Sequence, residues 1–151
     1  MISFANFILE KKLYIDVWHG SKTPFKLPFD ESKIATTNDE GYSGRGFYFF
    51  GNENDVQYAV PQGYKRKFRL LLKNAYNLDK DDIFSADRDE SIAFWKYRDE
   101  ETLKLLKLGY DGAYRTLNGK LDEVCVFSYK KEGYDGNKKI QTIDGQDWVR
   151  I

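Results

Sequence analysis

Disulfides are excluded first: the chain has one cysteine, Cys125, and a lone thiol closes no internal bridge, so a secreted scaffold held by disulfides is ruled out. Cys125 stands in the apolar run Val124-Cys125-Val126-Phe127 and reads as a small core residue. As a nucleophile it would need a histidine, and the only one is His19. An excess of either charge is also missing. Against 24 Lys and Arg stand 24 Asp and Glu, so the basic surplus of a dedicated duplex-DNA binder is absent. The nearest thing to a basic patch, Lys65-Arg66-Lys67 with Arg69, reads as the solvated face of a strand. No apolar run reaches membrane-spanning length, so no membrane partner is expected. The start, Met1 to Phe7, lacks a basic leader and meets Glu10-Lys11-Lys12 early, which predicts no signal peptide and a cytoplasmic protein. Of only three prolines, Pro24 and Pro28 bracket one early loop. With no repeat, linker or low-complexity tract, the chain reads as a single domain over 1–151.

Aromatic residues are plentiful, at 17% of the chain within 41% apolar. That composition argues for a folded globule, since disordered chains are poor in aromatics. It also supplies stacking surfaces for a planar ligand. A domain of this length buries about two thirds of its unfolded surface, enough for one core without staples.

Leu13-Tyr14-Ile15-Asp16-Val17-Trp18 is a strand by its β-branched and aromatic content, ending at His19-Gly20. A long polar loop follows through Pro28 to Gly44, and then a short apolar strand, Gly46 to Phe50. Asn52 predicts the N-cap of a short helix through Val56 and Ala59. Lys67 to Leu72 suggests another strand, with helix as the alternative for so short a run. The span from Asp87 to Leu108 is helical in pattern, and Gly109 follows as its C′ residue. Ala113-Tyr114 and Val124 to Phe127 read as strands flanking a turn at Asn118-Gly119, a pair that favours positive φ. Lys139 to Ile143 reads as a last strand. Strands early, helix in the middle and strands late predict an α+β fold with a mixed or antiparallel sheet.

Three local features carry chemistry. The sole histidine sits at a strand end in Trp18-His19-Gly20-Ser21, where a glycine allows a ligand close to the backbone. Gly44-Arg45-Gly46-Phe47-Tyr48-Phe49 runs glycines into an aromatic strand, which suits a planar ring lying on bare backbone. Asp122-Glu123 places two carboxylates just before an apolar strand, where they cost little only if they face water or a site. Each alone has a simpler reading: a hydrogen-bonded surface histidine, a core tyrosine, a solvated turn.

In this order, the segments resemble the ADP-ribosyltransferases of the His-Tyr-Glu type, the group of diphtheria-type toxins and poly-ADP-ribose polymerases. The closest likeness is to small phage and mobile-element versions found in polyvalent proteins. The residues that carry it are His19-Gly20-Ser21, Phe29-Asp30, Gly44-Arg45-Gly46-Phe47-Tyr48-Phe49, Tyr58-Ala59, Gly109-Tyr110-Asp111-Gly112 and Glu123-Val124-Cys125-Val126-Phe127. Any one is short and common; their agreement in order, over roughly Leu13 to Phe127, is the specific signal.

The resemblance implies a split mixed or antiparallel sheet around an NAD cleft with peripheral helices. It implies NAD+ as substrate and no metal. His19 would bond a ribose hydroxyl, the Gly20 backbone would read the nicotinamide carboxamide with help from Ser21, and Tyr48 would stack on the nicotinamide ring. Gly46 and Phe47 belong to the same binding segment, and Tyr58 would close the other side of the ring. Glu123 would stabilise the oxocarbenium-like state and hold the ribose 2′-hydroxyl, with Asp122 as the alternative carboxylate on the opposite face. Arg45 either touches the diphosphate or is an exposed loop charge.

The chain departs from the arginine-directed members, which carry Glu or Gln two residues before the catalytic Glu; here that residue is Leu121. The short loop from Arg115 to Lys120 offers little acceptor surface, leaving the His19–Tyr48 loop or the helical middle around Phe94, Trp95 and Tyr97. The implied activity is mono-ADP-ribosyl transfer to a macromolecular acceptor, a protein before others, in a phage or mobile-element effector. The alternatives are an NAD+ glycohydrolase, a nucleic-acid-modifying transferase using Trp95, Tyr97 and the Lys65–Arg69 cluster, and an inactive module that binds NAD+ or a partner. Nothing in the sequence sets the oligomeric state.

Overall fold

A computed structural model describes residues 13–34, 43–84 and 92–151. Residues 1–12, the middle of the polar loop at 35–42 and the expected helix start at Asp87 lie outside the described residues, as do the side chains of Phe94 and Trp95.

Eight strands form one sheet: β1 (Leu13–Ser21), β2 (Gly46–Phe50), β3 (Tyr64–Leu72), β4 (Ala75–Asn77), β5 (Gly112–Leu117), β6 (Lys120–Phe127), β7 (Ile140–Thr142) and β8 (Val149–Arg150). Among the described residues, two α-helices accompany them, α1 (Val56–Ala59) and α2 (Ile92–Lys107). The strand order is β4-β5-β6-β2-β1-β3-β7, with β8 also on β3. All pairings are antiparallel except β4 with β5. The fold is therefore α+β with a mixed, mostly antiparallel sheet.

The turn chemistry behaves as the residue types dictate. Asn118 and Gly119 have φ of 52° and 78° and join β5 to β6 as a tight hairpin. Gly109, at φ 98°, ends α2 as its C′ residue, its N–H donating to Leu106 O. Asn52 caps a 3₁₀ turn, Glu53–Asp55, that leads directly into α1, its side chain accepting from Asn54 N. Asp111 of the Gly-Tyr-Asp-Gly segment is buried and accepts from the N–H groups of Lys73 and Asn74, fixing the turn between β3 and β4.

Apolar residues fill both faces of the sheet. One core contains Leu13, Val17, Phe29, Phe47, Phe49, Phe68, Leu70, Val124 and Val126. The other contains Leu78, Phe84, Leu105 of α2, Ala113, Cys125 and Phe127, with Tyr48 packed against it. Strand alternation thus puts Phe47 and Phe49 on one face and Tyr48 on the other.

The ladder is uneven. β1 pairs with β3 over nine positions, from Leu13–Leu72 to Ser21–Tyr64, yet it meets β2 at one pair alone, Trp18–Phe50. Two blocks, β4-β5-β6-β2 and β1-β3-β7, share that single pair. Past it, where the register would set Gly20 opposite Tyr48, β1 and β2 form no ladder.

Candidate active site

The seam between β1 and β2 organises the site. Where the ladder stops, the His19 ring takes its place: Nδ1 donates to the carbonyl oxygen of Tyr48 at 2.6 Å. A carbonyl only accepts, so Nδ1 carries the proton and Nε2 of the neutral ring is a bare acceptor. Nε2 has no partner among the described residues. The ring lies among Phe29 and Phe49 at centroid distances of 5.0 and 5.2 Å, and Phe25, Phe68 and Trp148 at 6.1, 6.3 and 6.5 Å.

Burial in this aromatic cage pushes His19 down from 6.5 to about 4, partly offset by its bond to Tyr48. Between those values the unfolded chain holds a proton that the native state does not, so stability declines as pH falls from about 6.5 to about 4. The effect amounts to about 3 kcal/mol. Because His19 is the sole histidine, urea unfolding at pH 7 and 4.5 isolates it. The difference between wild type and His19→Gln should shrink as the pH is lowered; a difference independent of pH would contradict the neutral, caged ring.

On the opposite face, Tyr48 and Glu123 come together through Ser43. The fully buried Ser43 donates from Oγ to Glu123 Oε2 at 2.5 Å, and its N–H donates to the Tyr48 hydroxyl at 3.0 Å. That hydroxyl donates to Gly44 O at 2.5 Å. Arg115, directly across β5–β6 from Glu123, donates from Nε to Ser43 Oγ at 3.1 Å. It also holds Asp82 through two bonds, of 2.6 and 2.8 Å. Burial works against the Arg115 charge, but the Asp82 bonds and the negative charge of Glu123 outweigh it, and its pKa is raised. The result is a chain from Asp82 through Arg115 and Ser43 to Glu123, which ties the β5 and β6 side chains to the segments before β2 and after β4.

The register places Glu123 close to the seam. It pairs with Phe50, and Phe50 with Trp18, the one β1–β2 pair. His19, Tyr48 and Glu123 therefore lie within about two strand positions of the seam's closed end. The His19 ring and the Tyr48 side chain nevertheless sit on opposite faces of β2 and meet through the Tyr48 backbone.

The remaining expected residues have defined places. Gly20 runs beneath α1, where an added Cβ would lie 2.7 Å from Val56 and 2.8 Å from Val60. Ser21 Oγ donates to Thr23 O at 2.6 Å. Phe47 is a core residue, and Tyr58 on α1 is 78% exposed. Phe29 packs edge-on to His19, and Asp30 caps the 3₁₀ turn Glu31–Lys33. Asp122 occupies the bulge where β6 has an extra residue against β5; burial, then the nearby Asp55, raises its carboxyl above the usual range.

Arg45 corrects one expectation. It is not an exposed loop charge: it bonds Glu31 at 2.6 Å and Asp99 at 3.3 Å and lies 4.9 Å from the Tyr129 ring centre. A phosphate reaching it would have to displace these carboxylates.

Ser43, Arg115 and Asp82 are not among the residues the sequence singles out for the site. One signal for Arg115 was present: counting back from the Asn118-Gly119 turn puts it opposite the Asp122-Glu123 pair. Comparison with models of known protein families, with characterised proteins and with solved structures finds no match. Among the described residues, no helix is long and apolar enough to cross a membrane, and no group of three or more His, Cys, Asp or Glu could hold a metal ion.

Proposed function

We propose that the protein is a mono-ADP-ribosyltransferase that cleaves NAD+ and passes ADP-ribose to a macromolecular acceptor, a protein before others. The observation that carries this reading is the Glu123 carboxylate, fixed by Ser43 at 2.5 Å beside Tyr48 and next to the seam that His19 borders. In the reaction, the bond between nicotinamide and ribose C1′ breaks and nicotinamide leaves with the electron pair. The acceptor nucleophile bonds C1′ and gives up its proton. Positive charge develops on the sugar before the new bond forms, and an immobile carboxylate aimed there gains strength only as that charge appears.

The other groups suit NAD+. His19 Nε2, a neutral acceptor at any pH well above 4, matches a ribose hydroxyl donor. The nicotinamide ring is cationic, and a tyrosine face attracts a cation as well as stacking on it, worth roughly 0.5–2 kcal/mol. Tyr48 has its hydroxyl held by the Ser43 N–H and the Gly44 carbonyl, and Tyr58 is exposed on α1, on the side of that helix away from Val56 and Val60, which face Gly20.

Incubation with NAD+ labelled on the adenine side and a cell lysate tests the transfer. A labelled protein band that needs Glu123 supports the reading. Free ADP-ribose with no labelled macromolecule would make the protein a glycohydrolase, and label in nucleic acid would move the acceptor class.

A further inference from the structure

Beside the His19 cage, Phe25 and Trp148 form a wall of a recess of about 500 Å3 that Lys26, Leu27, Arg66 and Asp147 also line. That size is in the range of small-molecule sites, roughly 300–1,000 Å3. The two rings stand 4.8 Å apart between centroids at 54°, and the indole is fixed by Nε1 donating to Phe25 O at 3.0 Å. Arg66 comes from β3, opposite His19 in the β1 ladder. Its guanidinium lies 5.5 Å from the Phe68 ring centre and 6.0 Å from that of Trp148.

Among the described residues, Arg66 has no carboxylate within ion-pair distance, and neither has Lys67 on the other face, which lies over the Trp18 ring. Lys65 is paired with Glu53 and Arg69 with Asp16 on the other face. Arg66 makes one bond, from Nη2 to Gln146 O at 3.3 Å, and its buried Nε has no partner among the described residues. The one carboxylate in the lining, Asp147, accepts from Trp148 N at 2.7 Å. A half-buried cation among aromatic rings, without an ion pair among the described residues, is ordinarily compensated. A second cation, Lys26, is exposed at the same recess.

We infer that this recess binds a nucleoside phosphate, its base stacked on Trp148 and Phe25 and its phosphate held by Arg66 and Lys26. The recess shares Phe25 and Trp148 with the cage of His19. One source of the ligand is thus the adenylate end of NAD+, which rests on the function proposed above; the other is a separate nucleotide.

Calorimetric titration of the whole protein with AMP and with adenosine tests the site. A phosphate on two cations should make AMP bind about tenfold tighter than adenosine or more, since charge-assisted hydrogen bonds are the strong ones. Arg66→Gln should remove most of that advantage. Lys26→Gln, at an exposed position that cannot unsettle the core, should remove several-fold, and adenosine affinity should be unchanged in both. AMP binding no tighter than adenosine, or AMP affinity unaltered in both variants, would overturn the inference. Competition separates the sources: if NAD+ displaces AMP, the recess takes the adenylate end of the substrate; if both bind together, it takes a second nucleotide. AMP binding without nicotinamide release from NAD+ would sink the transferase and keep the recess, and release without AMP binding would do the reverse.

Discussion

Gly46→Ala is expected to unfold a large part of the population at temperatures the wild type tolerates. A Cβ at Gly46 would stand 2.0 Å from the carbonyl oxygen of Val126 and 2.7 Å from its carbon. These are backbone atoms of β6, directly paired with β2, and cannot swing aside as a flexible side chain would. One of the two strands has to shift, and β2 carries Phe47 and Phe49 of one core and Tyr48 of the other. Overpacking commonly costs about 1–3 kcal/mol and occasionally more; a backbone clash belongs at the upper end. With about 2–4 °C lost per kcal/mol at this chain length, the melting temperature should fall by about 10 °C. A melting temperature within 2 °C of wild type would show that the β2–β6 contact yields easily.

In Glu123→Gln, nicotinamide release should fall by about 10²–10³, the usual consequence of removing one electrostatic stabiliser from a transition state. Glutamine keeps the shape and still offers an oxygen to Ser43 Oγ, so the fold should hold, with a melting temperature close to that of wild type. What disappears is the negative charge against the developing cation on the sugar. Asp122→Asn is the contrast: Asp122 sits in the bulge near Asp55, outside the Ser43–Arg115 chain, and its loss should change the rate far less. Equal losses in the two variants would move the catalytic carboxylate or remove the distinction.

Much of the architecture was legible because local chemistry and global fold agree. β2 runs over the Gly46–Phe50 segment its aromatic content marks, and Asn52, Gly109 and Asn118-Gly119 end or turn the chain where their residue types favour it. β1 and β3 extend beyond their apolar runs, to Ser21 and from Tyr64, because the ladder between them continues through His19–Arg66 and Gly20–Lys65. A polar stretch carries no strand signal of its own; the partner supplies it. β4 and β8, of three and two residues, are too short to show a period of their own.

The site was legible as a set of residues but not as an arrangement. Short segments suggested His19, Tyr48 and Glu123, yet the placement of His19 and Tyr48 on opposite faces of β2 follows from the Trp18–Phe50 register, which spans 32 positions of chain. The clamp on Glu123 joins Ser43, Arg115 and Asp82 across separations of 33 to 80 positions. No local pattern encodes contacts of that range. Arg45 shows the same limit: its counter-ions, Glu31 and Asp99, come from either side of the strand it precedes.

The most direct test is to incubate the purified protein with NAD+ and follow free nicotinamide by proton NMR, with Glu123→Gln alongside. The account predicts steady release by the wild type and loss of nearly all of it in the variant. NAD+ left intact by the wild type across a range of acceptors, or equal release by the two proteins, would contradict it.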